Sequence, residues 1–433
     1  MTPEPTATPA HPWTWELLQA AWLVLPLLPG VGTVGCAVVM LVTWRHHGRQ
    51  FLRDPWLWGW GALALWWMLS ASLAARPGEA WLGLANLLPF VLLLMALRSL
   101  VRSPAQLRRL AWLGLGASPL VVILGLGQTL LNWRTPSWWY TFSGWRLVAG
   151  GNPPGRMAST FMYANLLAVY LVILWTLGLG LAIATWHDWR QRRQGGRLLL
   201  LLGGTLALIA WALFLTQSRN AWGLAIATSL AVAIYEGWYW LLLATTAACS
   251  TVAWAAFAPQ QGGAALRRWL PEALWARLSG EMFPHRYVAE LRITQWQFAW
   301  QMARDRPWLG WGLRNFSPLY EAEWQFWLGH PHNLYLMLLA ETGWPGFLGL
   351  LILVARLLQP AVQHWARLSP PDRRTLFSYL LTFGSIMAFN LLDVTLFDLR
   401  ANLIGWLLLG AIAGVGEALK SPAVAVSPPE PAQ

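Results

Sequence analysis

Twelve runs of mainly apolar residues occupy most of the chain, and a soluble fold of this size could not bury them all. Apolar residues make up 57% of the 433 residues and charged residues only 11%, against about 25% in soluble domains. This balance excludes a soluble enzyme and a disordered chain. The runs are continuous and rich in Leu and Ala, whereas membrane β-strands alternate apolar and polar residues. The sequence therefore predicts an all-α, polytopic membrane protein with about twelve transmembrane helices. The runs cover residues 13–28, 31–44, 56–73, 81–97, 110–130, 161–185, 198–216, 220–235, 238–258, 332–355, 375–392 and 399–417.

These runs divide the chain into five regions. Residues 1–12 and the Pro-rich residues 418–433 are expected to be disordered tails. Nine transmembrane helices are expected within 13–258 and three more within 332–417. Between them, residues 259–331 form one long loop that we expect to carry short amphipathic helices.

Arginine is unevenly distributed between alternate loops. The loops 45–55, 98–109, 186–197 and 356–374 contain fifteen Arg, whereas the short loops on the other side contain six. Because basic residues are retained on the cytoplasmic side, both termini are predicted to be cytoplasmic and 259–331 to lie outside. Topogenic charge of this kind accounts for most of the net charge of +12. We expect membrane lipids, and no nucleic acid, among the partners.

The long loop contains two predicted helices. Residues 264–278 resemble an interfacial helix whose arginines meet lipid phosphates. In the second helix, 287–304, Arg292 falls on the apolar side, where a charge is costly unless it is paired. Arg292 either forms an ion pair with a loop Glu or waits in a pocket for an anionic ligand.

Two polar segments interrupt apolar runs on the predicted outer face. In the segment 216–220, Ser218 or Asn220 could cap the next helix, and Arg219 adds a charge to an anion-binding helix N-terminus. In the segment 329–333, His332 precedes a helix, whose dipole disfavours the charged imidazole. A neutral histidine is what a general base requires.

Metal chemistry and cofactors are not expected. The two cysteines lie inside apolar runs, and the outer loops contain no Asp-x-Asp. The nearest approach is Glu321-Ala322-Glu323, which we interpret as a solvated turn.

Four elements, in this order, resemble the O-antigen ligase/polymerase superfamily. They are Ser159–Ala168, Thr216–Arg219, Arg292 to Phe316 with Arg306-Pro307-Trp308-Leu309-Gly310, and His332 to Gly346. Tyr163-Ala164 departs from the Pro that the family has before its Asn. The third element and the C-terminal residues 391–398 also resemble a cyanobacterial branch once linked to inorganic-carbon accumulation.

The resemblance implies a twelve-span membrane glycosyltransferase of the GT-C kind in the bacterial inner membrane, with its active site facing the periplasm. Such enzymes take a glycan from undecaprenyl pyrophosphate, without a metal and with inversion. The acceptor would be lipid A-core, another glycan repeat in a polymerase, or a protein in an O-oligosaccharyltransferase. Arg219 and Arg292 would contact the pyrophosphate, and His332 would be the essential histidine. The expected substrate-binding residues are Arg156, Asn165, Asn333 and Asp393.

Two other classes of function remain open from the residues alone. An anion transporter, for example of bicarbonate, would usually show internal repeats and charges near the membrane midplane. A lipid-anchored scaffold without chemistry is the third. Most charges here lie in loops and no repeat is visible, which favours the glycosyltransferase.

Overall fold

The computed structural model describes residues 12–281 and 287–420. Within these residues the fold is all-helical, as predicted, and contains no strand. The first nine helices are α1 (Pro12–Val24), α2 (Pro29–Arg53), α3 (Pro55–Ser72), α4 (Pro77–Leu84), α5 (Leu88–Leu100), α6 (Pro104–Leu130), α7 (Ser137–Ser143), α8 (Ala164–Arg192) and α9 (Gly196–Thr216). The remaining nine are α10 (Arg219–Glu236), α11 (Tyr239–Phe257), α12 (Gly263–Leu266), α13 (Glu272–Ser279), α14 (Arg292–Asp305), α15 (Phe316–Trp324), α16 (Leu334–His364), α17 (Pro370–Phe389) and α18 (Leu399–Ala418).

The polytopic membrane fold is confirmed, but twelve spans are not supported. Each apolar run lies on helical structure, yet only seven helices in the described ranges are long and apolar enough to cross a membrane. They are 77–100, 104–130, 164–192, 196–216, 239–257, 334–367 and 399–418. Helix α1 is too short: its 13 residues rise about 20 Å, against the roughly 30 Å hydrocarbon core. Helices α2, α3, α10 and α17 are long enough but not sufficiently apolar.

The loops that are predicted to be cytoplasmic meet at one end of the helix bundle. Arg98 forms ion pairs with Asp54 at 2.9 Å and with Glu417 at 3.6 Å. Glu236, at the end of α10, accepts from Arg374 at 2.8 Å. These pairs bring the arginine-rich loops together. We call the opposite end, where α8, α10, α16 and α18 begin, the site end.

The long loop 259–331 is helical in part, with corrections to both predicted helices. Pro271 divides the expected helix 264–278 into α12 and α13, because proline has no N–H to continue the helix. The expected helix 287–304 begins only at Arg292 and is preceded by a 3₁₀ turn, Val288–Glu290. Residues 282–286 of this loop lie outside the described residues, as do 1–11 and 421–433 of the two predicted tails.

Helix α16 is interrupted near the site end. Gly343 has φ +70°, and a side chain there would meet the carbonyl oxygen of Trp308. The loop next to the break bonds to both halves of the helix: Gly312 N–H donates to Glu341 O at 2.8 Å, and Trp344 N–H donates to the carbonyl of Pro307 at 2.8 Å. The short first half of α16 is therefore fastened to the outer loop.

A buried arginine fastens α18 to the turn before α8. The Arg400 guanidinium, 3% exposed, donates to the carbonyls of Thr160 and Phe161 and pairs with Asp398 at 3.2 Å. It also lies over the ring of Phe161 at 4.5 Å.

Replacing this arginine should destabilise the protein. We expect Arg400→Ala to cost about 3–5 kcal/mol, because it leaves the Asp398 carboxylate and two buried carbonyls without their donor. Thermal unfolding of the detergent-solubilised protein would show a lower midpoint, whereas Arg134→Ala, at an exposed position, should leave it unchanged. Equal midpoints for wild type and Arg400→Ala would contradict a stabilising role for the pair.

Candidate functional site

Hydrogen bonds between loop ends gather four segments at the site end. Asn220, in the first turn of α10, donates through Nδ2 to the carbonyl of Phe389 at the end of α17 (2.9 Å). Trp296 of α14 donates through Nε1 to the carbonyl of Pro331, which precedes α16 (3.0 Å). These contacts hold the outer loop and the starts of α10 and α16 against the α17–α18 loop.

A polar cavity of about 280 Å³ lies where these segments meet, and we call it the arginine cavity. Four arginines and one carboxylate line it, so its charge is strongly positive. Such a cavity suits a ligand with more than one negative charge. The lining residues are Arg156, Asn165, Gln217, Ser218, Arg219, Asn220, Arg277, Arg292, Leu392 and Asp393.

The buried carboxylate of Asp393 organises one wall of this cavity. Its Oδ2 accepts from Asn165 Nδ2 at 2.6 Å, and its Oδ1 accepts from the Val394 N–H at 2.9 Å and lies 3.4 Å from Nδ1 of His332. Burial alone would raise the pKa of Asp393. The hydrogen bond from His332, the electrostatic interaction with the two neighbouring histidines and the hydrogen bond from the Val394 N–H outweigh burial and lower this pKa below its usual value. The carboxylate is therefore ionised at neutral pH.

Arg156 is tied to the same carboxylate through Asn165. Its Nη2 donates to Asn165 Oδ1 at 2.6 Å, and its Nε donates to the carbonyl of Thr216 at 2.8 Å. Two of its nitrogens are thus used to hold the guanidinium at the cavity wall. This connects the loop before α8 to the C-terminal end of α9.

Two histidines lie beside Asp393. The rings of His330 and His332 meet edge to face, with centroids 4.5 Å apart. His332 has φ +50°, a left-handed conformation that costs energy for a residue with a side chain. When its Nδ1 carries the proton toward Asp393, the other ring nitrogen, Nε2, retains a lone pair and can accept a proton. Burial, helped by the neighbouring His332, lowers the pKa of His330 to about 4, so His330 is neutral at pH 7.

His330, His332 and Asp393 have ligand atoms within 4.8 Å of one another, the spacing of a possible metal site. Their hydrogen bonds favour a different use. The backbone N–H of His332 donates to Nδ1 of His330 at 3.2 Å, so the proton of neutral His330 lies on Nε2. Nε2 of His330 lies 4.0 Å from Asp393 and would have to lose this proton before it could bind a metal ion. The cluster is arranged for proton sharing.

Arg219 lies at a junction between polar and apolar spaces. It is the first residue of α10 and donates through Nη1 to the carbonyl of Arg277 at 3.0 Å. Besides the arginine cavity, it lines an apolar groove of about 790 Å³ between α8, α9, α10, α11 and α13. The large side chains of this groove include Trp175, Phe214, Trp222, Leu274 and Leu278.

The side-chain caps expected at the start of α10 are absent. Ser218 occupies the N-cap position without a cap hydrogen bond from its hydroxyl, and the Asn220 side chain is used for the contact with α17. The prediction of a Ser or Asn cap was therefore wrong.

Arg292 begins α14 and is half-buried at the cavity. Among the residues that the structure describes, no carboxylate forms an ion pair with it. Of the two possibilities left open by the sequence, this geometry favours a pocket arginine.

Most residues expected at the site come together. The cavity lining includes Arg156, Asn165, Arg219, Arg292 and Asp393. His332 reaches Asp393 from the wall, while Asn333 is the N-cap of α16 and accepts the Leu336 N–H at 3.0 Å. The chemical roles assigned to these residues stay predictions.

Two residues of the site were missed by sequence reasoning. Arg277 was assigned to lipid phosphates, yet it lines the cavity and donates through Nε to the carbonyl of Gln217 at 3.2 Å. His330 received no role, although the pair His330-x-His332 in one loop was a visible signal. Neither placement follows from local sequence, because both depend on how the outer loop folds back.

Comparison with known proteins finds a family match in the middle of the chain. Residues 204–351 match the sequence profile of a family described as O-antigen ligase. This part of the chain, about a third of its length, is similar to the O-antigen ligase family. The matched range contains Arg219, Arg292 and His332, whereas Asp393 and Arg156 lie outside it and join the site through the fold.

The match suggests a membrane enzyme of the glycosyltransferase kind, and the family's general class of substrate is lipid-linked glycans. It gives no support to the anion transporter. No curated protein matches the chain in sequence.

The arginine cavity should bind inorganic pyrophosphate. Removing one charge-assisted contact by Arg292→Ala should raise Kd at least about tenfold, since such a contact is worth roughly 1.5–3 kcal/mol. Isothermal titration calorimetry in detergent would measure this. The control is Arg304→Ala, an exposed arginine on the same helix, which should bind as wild type does. Identical Kd values for both variants would remove Arg292 from the anion site.

Proposed function

We propose that this protein, as a member of the O-antigen ligase family, transfers a glycan from undecaprenyl pyrophosphate to an acceptor hydroxyl. The reaction would take place at the periplasmic face of the bacterial inner membrane, with both chain termini in the cytoplasm. The acceptor is lipid A-core or another glycan. The site end supports this orientation, because it lies opposite the arginine-rich loops that the positive-inside rule assigns to the cytoplasm.

The observation that carries the proposal is the position of Arg219. One guanidinium borders both a strongly positive cavity and a large apolar groove. A ligand that fills both spaces must join a polyanion directly to a hydrocarbon chain. A polyprenyl pyrophosphate has this chemistry, whereas a nucleotide sugar has no apolar portion for the groove.

The arginines would act on the leaving group. When the bond between the sugar C1 and the phosphate oxygen breaks, negative charge accumulates on the pyrophosphate. Arg219 and Arg292 stabilise this charge, and preorganised donors of this kind lower the barrier because they need no rearrangement during the reaction. Arg277 faces the same cavity from α13.

His332 would act as the general base. Asp393 orients its imidazole and favours the proton on Nδ1, which leaves Nε2 to accept the proton of the incoming hydroxyl. Asp393 is the only carboxylate among the cavity-lining residues, and its oxygens are already engaged by Asn165, Val394 and His332. It is poorly placed to attack the sugar itself. This arrangement supports direct displacement by the acceptor with inversion, and the proposed reaction needs no metal.

A transfer assay tests the proposal. Purified enzyme in EDTA receives an undecaprenyl-pyrophosphate-linked glycan and an envelope extract, and release of free undecaprenyl pyrophosphate is followed. We expect His332→Asn to lose about 10²–10⁴-fold in rate, the usual contribution of a general base. Asn tolerates the left-handed backbone at this position, so the variant removes the base without the added strain of alanine. His364→Asn, at the far end of α16, should retain full activity.

The arginine variants complete the test. Arg219→Ala and Arg292→Ala should each lose about 10²–10³-fold, as expected for a donor to a developing anion. Arg292→Lys should also fail, because an ammonium cannot reproduce the two-point contact of a guanidinium. Full activity of Arg292→Lys would contradict two-point recognition. No release by folded wild-type enzyme with several donors would overturn the proposed function.

The natural cysteines offer a probe of the apolar groove. Cys249 is exposed and lines the groove, whereas Cys36 is buried elsewhere. Undecaprenyl pyrophosphate at ten times its Kd should slow the reaction of Cys249 with N-ethylmaleimide about tenfold, because only the unoccupied protein reacts. Inorganic pyrophosphate should leave the rate unchanged, and Cys249→Ala should abolish labelling. Equal labelling rates with and without the lipid would exclude the groove as the site of the prenyl chain.

A further inference from the structure

We propose that a second polar cavity, on the other side of the His330–Asp393 pair, binds a neutral sugar residue of the acceptor. This inference rests on the proposed function for its place in the reaction, but its binding chemistry is argued from the cavity itself. The cavity has a volume of about 440 Å³, within the range of small-molecule sites. We call it the acceptor cavity.

The two cavities share one wall. His330 lines the acceptor cavity and Asp393 lines the arginine cavity, and His330 Nε2 lies 4.0 Å from Asp393 Oδ1. His332 contacts both residues, through its ring against His330 and its Nδ1 toward Asp393. His332 therefore lies between one lining residue of each cavity.

The direction of the displacement places the acceptor on this side. The incoming oxygen forms its bond to C1 as the bond from C1 to the phosphate oxygen breaks, and the two oxygens lie on opposite sides of the carbon. The pyrophosphate leaves with the bonding electron pair toward the arginines, while the proton of the acceptor hydroxyl passes to His332. With the leaving group in the arginine cavity, the acceptor approaches from the cavity beyond the histidines.

The charges of the two cavities differ in a way that separates their ligands. The acceptor cavity has two arginines, Arg76 and Arg314, and two glutamates, Glu79 and Glu321, so its formal charge is balanced. Arg314 Nε pairs with Glu79 Oε2 at 3.0 Å. A balanced set of donors and acceptors suits the hydroxyl groups of an uncharged sugar and gives an anion no net attraction.

An aromatic side chain supplies the second feature of a sugar site. Trp327 lines the acceptor cavity and is 67% exposed, so much of its ring is open to a ligand. The C–H face of a pyranose can stack on such a ring, while Asn86 at the cavity wall offers an amide to the ring hydroxyls. The combination of stacking surface and hydrogen-bonding groups matches the two faces of a sugar.

Binding can be tested without any transfer reaction. Saturation-transfer difference NMR of the detergent-solubilised full-length protein would use methyl glycosides of glucose, galactose, mannose, rhamnose and N-acetylglucosamine. We expect transfer to at least one glycoside that Trp327→Ala abolishes. Trp308→Ala, an exposed tryptophan of the same loop outside the cavity, should preserve it. Arg292→Ala should also preserve it, because that arginine belongs to the other cavity.

The outcomes separate this inference from the proposed function. Absence of saturation transfer to every glycoside, or equal transfer in wild type and Trp327→Ala, would overturn the acceptor cavity even if the enzyme is active. Sugar binding that needs Trp327, in a protein that releases no undecaprenyl pyrophosphate, would support the site and refute the proposed donor.

Titration of the acceptor gives a second test in the active enzyme. Trp327→Ala and Glu321→Gln should each raise the concentration of envelope extract that gives half-maximal transfer. We expect a rise of at least about tenfold, which corresponds to a loss of roughly 1.4 kcal/mol of binding free energy. The maximal rate and the Kd for pyrophosphate should not change. Glu323→Gln is the matched control, since it lies on the same helix but outside the cavity lining. A half-saturation equal to that of wild type in both cavity variants would contradict the inference.

Discussion

The architecture of the site depends on one buried anion. Asp393 is 5% exposed, and the free energy cost of burying a carboxylate must be offset by hydrogen bonds and positive charge. The protein supplies them from three distant parts of the sequence: Asn165 from the start of α8, His332 from the turn before α16, and Val394 from its own loop. One carboxylate therefore holds these three segments together and also orients the His332 ring.

The site end separates two kinds of recognition across this anion. On one side, four arginines line the arginine cavity, and one of them, Arg219, also lines the apolar groove. This combination suits a lipid joined to a polyanion. On the other, balanced charges and an exposed tryptophan suit an uncharged polyol. The histidines lie between them. A polyanionic lipid and an uncharged polyol would thus bind in separate cavities, on either side of the His332 imidazole.

Sequence reasoning predicted the helical membrane fold because long apolar runs admit few alternatives. It also selected Arg219, Arg292 and His332, since charged or titratable residues beside apolar runs are unusual. It overestimated the number of spans for two reasons: α1 ends after 13 residues, and α2, α3, α10 and α17 are long enough but carry too many polar or weakly apolar residues. It missed Arg277 and His330, whose roles depend on tertiary contacts of the outer loop. The apolar groove could not be predicted either, since its walls come from five separate helices.

The break at Gly343 has a consequence for the behaviour of the protein in different bilayers. The nine residues of α16 before the break begin just after His332, and their C-terminal end is bonded to the outer loop. The remainder of the helix, 344–364, spans the membrane and must tilt when the hydrocarbon thickness changes. The outer loop holds both sides of this break, through Glu341 and Trp344, so the segment that follows His332 is fixed by the loop and not by the spanning portion alone. We therefore expect the arrangement of His332 and Asp393 to change little with the thickness of the bilayer.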